Sequence, residues 1–170
     1  SLTIVHLDDP YGRGLANALE AALERRPSLA LAATVPFSGS DPDLTDDAAS
    51  ILETGSRVIA VLGDVADGAR MLSAIDAALP NDAGSIPPFV VVNDSLRGAT
   101  DTIAMISDRL REQIIGVAAR ALVTTVDSPD GYFSTNSYDC VMLIALAARQ
   151  AGSDIPRSIA NQMASVSSGG

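Results

Sequence analysis

An α/β fold, a parallel sheet flanked by helices, is what this sequence predicts, and two observations carry the prediction. Short runs rich in Val, Ile, Leu and Ala alternate along the chain with longer stretches of helical periodicity. The chain has 170 residues, of which 47% are hydrophobic and 19% charged, which places it among globular α/β chains and far from disordered ones. That length holds one hydrophobic core, or one domain and part of another. Strands and helices alternating at this spacing imply parallel βαβ units joined by right-handed crossovers.

Taken in order, LTIVHL at 2–7 reads as a buried strand. RGLANALEAALERR at 13–26 reads as a helix with Leu15, Ala18, Leu19, Ala22 and Leu23 on one face, stopped by Pro27. SLALAATV at 28–35 is the second strand, and PFSGSDPDL a polar loop. Thr45 is placed to cap a helix whose first turn carries Asp46 and Asp47, negative charge at the positive end of the dipole, and this helix ends near Gly55. RVIAVLG at 57–63 is the third strand, DVADGARMLSAIDAALP a helix stopped by Pro80, and PFVVV at 88–92 the fourth strand. Beyond residue 95, ATDTIAMISDRLREQ reads either as a helix or as a strand plus turn, IIGVAARALVTT contains a strand, and VDSPDGYF is a loop. NSYDCVMLIALAARQAGSD forms a strongly apolar helix closed by Gly152. IPRSIANQMASV forms a shorter one with Pro156 in its first turn, and the SSGG tail reads as disordered.

Several function classes fall away on composition. A net charge of −10 repels phosphate backbones, and no basic stripe offsets it, so nucleic acid is not an expected partner. All 11 basic residues are arginine. Without lysine there is no Schiff-base or pyridoxal-phosphate chemistry and no Walker lysine. The single cysteine, Cys140, sits in an apolar helical run and reads as a small buried hydrophobe. No apolar run approaches the roughly 20 residues that span a bilayer. The chain opens directly in a strand pattern without an export signal, so a piece of a longer polypeptide is expected.

The catalytic inventory is nearly empty. Gly12, Gly14 and Asn17 give G-x-G-x-x-N, too far from the first strand for a dinucleotide fingerprint. SDPDLTDD fails as a calcium loop, because the sixth position from Asp41 is Asp46 and the twelfth is Leu52. His6, the only histidine, lies inside a strand, and no G-x-S-x-G elbow exists. Asp8 and Asp9 are expected to shape a turn and cap a helix. What remains are polar residues just past strand ends: Asp8, Asp9 and Tyr11 after the first, Asp64 after the third, and Asn93, Asp94 and Ser95 after the fourth. In an open parallel sheet these ends share the edge where ligands bind.

In order and spacing, IVHLDDPYGRGLANALEAAL, VPFSGSDPDLTDDAASILETGSRVIAVLGD, PPFVVVND and NSYDCVMLIALAARQAGSD resemble the type I periplasmic binding proteins. The branched-chain amino-acid branch that feeds ABC importers is the nearest within that family. The Y-G-x-G turn and the Y-D-x-V…L-A…A-G helix carry most of the resemblance, and residues 96–130 match poorly. The resemblance implies a two-lobed, non-enzymatic, extracytoplasmic protein, periplasmic or a bacterial lipoprotein, without a cofactor, closing on an amino acid or similar small polar solute. Residues 1–126 then correspond to the second lobe and 127–170 to the helical return towards the first, so the fold is an incomplete one. By the same resemblance Tyr11 flanks the ligand and Asp94 pairs with its ammonium group. Ser95 accompanies Asp94, and Asp64 stands where the family has an aromatic or small polar contact, a departure from apolar side-chain specificity. An ABC permease is the implied partner. Two other readings stand beside this one: a sensory or regulatory domain of the same fold, and a metal-dependent doubly wound enzyme using Asp8, Asp9, Asp64 or Asp94. The apolar helix at 137–151 is expected to fold back on the sheet or to associate with its copy in another chain.

Overall fold

Residues 1–80, 85–118 and 134–167 are described by the computed structural model, apart from the side chains of Arg97 and of residues 134–139. The VDSPDGYF loop, the lobe boundary near residue 126 and the tail beyond Ser167 lie outside the described residues. The chain divides into two compact units, Ser1–Ala119 and Arg120–Gly170.

The first unit is built on a sheet of five strands, β1 (Leu2–Leu7), β2 (Leu31–Phe37), β3 (Val58–Leu62), β4 (Phe89–Val92) and β5 (Ile114–Gly116), in the order β2-β1-β3-β4-β5. All the pairings are parallel. The predicted α/β class, a parallel sheet flanked by helices, is therefore what forms. Helices α1 (Pro10–Glu24), α2 (Thr45–Glu53) and α3 (Val65–Ala78) connect the first four strands, and a 3-10 turn at Asp94–Gly98 followed by α4 (Thr100–Met105) and α5 (Asp108–Arg111) leads to β5. ATDTIAMISDRLREQ thus resolves as two short helices, not a strand.

Alternation along each strand sorts the core into two layers. Val5, Leu7, Ile59, Val61, Val90 and Val92 pack with Ala48 and Ile51 of α2 and with Met71, Leu72 and Ile75 of α3. Burying each of these Val, Leu, Ile and Met side chains contributes about 1.5–3 kcal/mol. Ile4 and Leu62 point the other way, onto Ala16 and Leu23 of α1. This second layer is smaller, because α1 packs mainly on β1, β2 and β3. On β4 and β5 the residues of alternate parity, Phe89 and Ile115, stay about half exposed at 49% and 52%.

Boundaries differ from expectation where tertiary pairing decides them. β2 begins at Leu31 and continues through Pro36 to Phe37, because its register runs from Leu2↔Leu31 to Leu7↔Phe37 on β1. Proline is tolerated there since β2 is an edge strand. Helix α1 starts at Pro10, not Arg13, because Pro suits the first turn and Asp9 caps it. Thr45 is the first residue of α2, with Leu44 at the cap position, and Asp43 accepts a hydrogen bond from the Thr45 amide at 3.0 Å. Gly55 closes α2 with φ at 63°, a conformation that favours glycine.

The second unit contains α6 (Ser134–Ala151) and α7 (Pro156–Ser167), packed on one another, with a hydrogen bond from Gln150 Nε2 to Ser165 Oγ at 3.3 Å. Val141, Ile144 and Leu146 of α6 are exposed. So is Cys140, contrary to its reading as a buried hydrophobe: it lies towards the start of α6, two turns before Ala147, the buried residue of that helix. Among the described residues no helix is long and apolar enough to cross a membrane.

Candidate functional site

The strand order places a reversal at the carboxyl ends of β1 and β3: the chain leaves β1 outward to β2, and leaves β3 in the opposite direction to β4 and β5. Open sheets of this kind bind ligands at that point. The DDPYG turn occupies one side of it. Asp9 caps α1, its Oδ1 accepting the Gly12 amide at 2.6 Å, and Pro10 sets the first helical residue. Tyr11 is thereby carried on the first turn of α1, 43% exposed. Gly12 is buried against the end of β1, so close that a Cβ there would lie 2.2 Å from the Leu7 carbonyl oxygen.

Across the end of β3 stands the turn after β4. Asn93 is buried, and its side-chain amide fastens both backbone groups of Gly63: Oδ1 accepts from the Gly63 N–H at 3.2 Å and Nδ2 donates to the Gly63 carbonyl at 3.0 Å. The same Nδ2 donates to the Tyr11 hydroxyl at 3.1 Å. That hydroxyl also lies 3.4 Å from Asp94 Oδ1, to which it donates, and 3.3 Å from Ser95 Oγ. One phenol thus bridges the β1 and β4 ends over the tip of β3, with Asp94 and Ser95 partly exposed beside it.

The structure brings three of the four expected site residues, Tyr11, Asp94 and Ser95, into one hydrogen-bonded group. Asp64 stands apart from it: exposed at the start of α3, it accepts the Asp67 amide at 2.8 Å and caps that helix. Asp8 is engaged by Arg13 at 2.7 Å, and Asp9 by its cap. The carboxylates considered for a metal-dependent enzyme are therefore occupied singly, and among the described residues no three metal-ligating side chains gather. His6 is buried in β1, with Nδ1 at 2.9 Å from the Leu7 carbonyl oxygen. The residue whose role the sequence did not disclose is Asn93. Its place after a strand was visible, but not that its amide would be consumed by Gly63 and Tyr11.

What this edge can do chemically follows from its inventory. It presents a carboxylate, a phenol and a hydroxyl, all of which accept hydrogen bonds, and Arg13, on the same first turns of α1 as Tyr11, is paired with Asp8. Such a surface suits a small solute with N–H or O–H donors.

No protein-family model matches the chain, and no curated protein does. Among solved structures, the chain is similar to a branched chain amino acid ABC transporter periplasmic ligand-binding protein from Burkholderia xenovorans, with a TM-score of 0.54 and 15% identity. The match covers 93% of this chain and 44% of that one, so the chain spans less than half the length of this neighbour. The likeness is one of fold.

Proposed function

We propose that the chain is the ligand-binding lobe of an extracytoplasmic solute-binding protein that delivers an amino acid or similarly small polar solute to an ABC permease. The observation that carries this reading is the Tyr11 hydroxyl held among Asn93, Asp94 and Ser95 at the reversal point of the sheet. The fold-level likeness to a periplasmic ligand-binding protein supports it. Asp94 is the acid for the ammonium group of the solute, Tyr11 is the aromatic wall beside it, and Ser95 supplies a further hydroxyl. Asp64, exposed on the same edge, is a contact for a polar extension of the solute. Asn93 is a positioning residue: it holds Tyr11 without facing the solute.

Binding works by closure. A second lobe, supplied by the rest of the polypeptide, meets the solute from the opposite side, and only the closed form makes both sets of contacts. One lobe alone bears the association cost with part of the contacts, so the isolated chain binds amino acids weakly or not at all. The exposed apolar residues of α6, Val141, Ile144 and Leu146, belong in this reading to a surface covered by that rest of the polypeptide or by a second copy.

The test is Asp94→Ala in the longer polypeptide that contains this chain, followed by calorimetry with a panel of amino acids. Removing the partner of a desolvated ammonium group costs about 2–5 kcal/mol, a loss of tens-fold or more in affinity, with an unchanged circular dichroism spectrum. Wild-type affinity in the variant would remove Asp94 from the site. Micromolar binding by the isolated monomeric chain would overturn the one-lobe reading.

A further inference from the structure

The Asp94–Gly98 turn carries Asp94 and Ser95, and part of what fixes its position lies outside the candidate site. At its entrance the Asn93 amide fastens it to Gly63. At its centre Leu96 is fully buried, in the same core layer as Met71, Leu72 and Ile75 of α3. The residue of α3 that faces Leu96 is Gly68, itself buried: a Cβ there would lie 2.9 Å from Leu96 Cδ1, 3.2 Å from Cδ2 and 3.3 Å from Cγ. Backbone hydrogen bonds close on either side of Leu96, its N–H donating to the Asn93 carbonyl at 3.2 Å and its carbonyl accepting from the Ala99 N–H at 3.0 Å. A shift of the Leu96 backbone therefore carries Ser95 and Asp94 with it.

The fit leaves no room for a methyl group. Carbon atoms in contact settle about 3.5–4.0 Å apart, so a Cβ at Gly68 forces a separation of roughly 0.6 Å or more. Rotating the two Leu96 methyls does not relieve the overlap, because Cγ crowds the same point. A close-packed core gives the side chain little room to turn elsewhere, and α3 is packed against the sheet, whereas the turn is partly exposed and yields. The site has little tolerance for such a shift. The Tyr11 hydroxyl lies 3.4 Å from Asp94 Oδ1 and 3.3 Å from Ser95 Oγ, at the outer limit for an O–H···O bond.

We propose that Gly68 is a positioning residue of the solute site: its missing side chain lets Leu96 seat the turn directly on α3, and that seating sets where Asp94 and Ser95 meet Tyr11. Gly68 acts through Leu96, from inside the core. Because α3 also carries Asp64 at its cap, one packing contact relates all four expected site residues. The consequence for binding rests on the solute-binding reading; the seating of the turn does not.

The experiment is a reciprocal rescue. Helix propensity favours alanine at position 68, so a melting curve alone would blur the effect, and the readout is the Tyr11 ring by NMR in the isolated chain. Gly68→Ala should displace the Tyr11 ring resonances and alter the nuclear Overhauser contact between that ring and Ser95. Leu96→Val alone opens a gap at the same place, keeps the core apolar, and should displace them too. The double variant Gly68→Ala, Leu96→Val adds one methylene and removes one, so it should return Tyr11 and Ser95 to their wild-type signals. Gly98→Ala is the control in the same turn, because a Cβ there meets Val65 Cγ2 at 3.4 Å, an ordinary contact, and should leave Tyr11 unchanged. In the longer polypeptide, calorimetry with amino acids should show affinity lowered about two- to ten-fold by Gly68→Ala, the worth of a hydrogen bond, and restored in the double variant. The proposal is overturned if folded Gly68→Ala keeps the wild-type Tyr11 and Ser95 signals, if the double variant fails to restore them, or if Gly98→Ala displaces them equally. Should Gly68→Ala not fold, Leu96→Val and the double variant decide by the same criteria. Wild-type affinity in Asp94→Ala would instead remove the solute reading, while rescue of the Tyr11 signals in the isolated chain would still establish the role of Gly68.

Discussion

Replacing Gly12 by alanine sets two physical effects against each other. Helix propensity alone favours the change by about 0.5–1 kcal/mol, because glycine in a helix loses more backbone freedom on folding. Packing opposes it. A Cβ at Gly12 would lie 2.2 Å from the Leu7 carbonyl oxygen and 3.0 Å from the Leu7 carbonyl carbon and amide nitrogen. Carbon–oxygen contacts settle near 3.3 Å, so the first turn of α1 must retreat by roughly 1 Å. The obstacle is backbone of a buried strand and cannot rotate away, and overpacking of this kind costs about 1–3 kcal/mol, occasionally more. We expect Gly12→Ala to lose about 1–2 kcal/mol net, a fall in Tm of roughly 2–8 °C for a chain of this size. The same retreat carries Tyr11 away from Asn93, whose 3.1 Å hydrogen bond leaves little slack. Gly14, two residues on in the same helix, is the internal control, because a Cβ there meets nothing within 4 Å. Gly14→Ala should raise Tm by roughly 1–4 °C through propensity alone. Thermal melts followed by far-ultraviolet circular dichroism read both. If Gly12→Ala melts at or above the wild type, the close approach between α1 and the end of β1 is not what holds the DDPYG turn in place.

Asn93→Ala leaves the Gly63 N–H and carbonyl without their side-chain partner, at about 1–3 kcal/mol, and frees the Tyr11 ring; a lower urea midpoint with an unchanged m-value, together with a sharper set of Tyr11 ring resonances, would register both effects. Asp43 receives hydrogen bonds from the Thr45 side chain and then from its backbone amide, and these hold its carboxyl below the ordinary value of 3.8. Its contribution to stability is therefore complete above that value and is lost as pH falls through the lower, folded one, so the difference in Tm between wild type and Asp43→Asn should be constant from neutral pH downward and shrink below about pH 4. A difference that grew on acidification would contradict the sign.

Much of the architecture was legible because it rests on period and punctuation. The strands at 2–7, 57–63 and 88–92 and the α3 helix form within a residue or two of expectation, since apolar runs bounded by Pro, Gly and Asp leave a chain few alternatives. Local capping was legible for the same reason: Asp8 and Asp9 shape the turn and cap α1 through neighbours in sequence. The edge residues could be named because every parallel strand delivers its following turn to one side of the sheet.

What only the tertiary structure decided are the matters that depend on a partner distant in sequence. The span of β2 was set by its hydrogen-bonded register with β1, which draws in Pro36 and Phe37 and leaves out Ser28 to Ala30. The apolar runs of β4 and β5 do not say which face is covered; the reach of α1 leaves Phe89 and Ile115 half exposed, while Val90 is fully buried. The site divides along the same line. Tyr11 and Asp94, 83 positions apart, meet because β1 and β4 flank the end of β3, whereas Asp64, one strand nearer, turns back to cap its own helix. Composition and local pattern determine which residues reach the edge, since both act over a few residues of chain. Which of them touch is determined by strand order and register, which are free-energy terms of the folded whole and leave no mark at any single position.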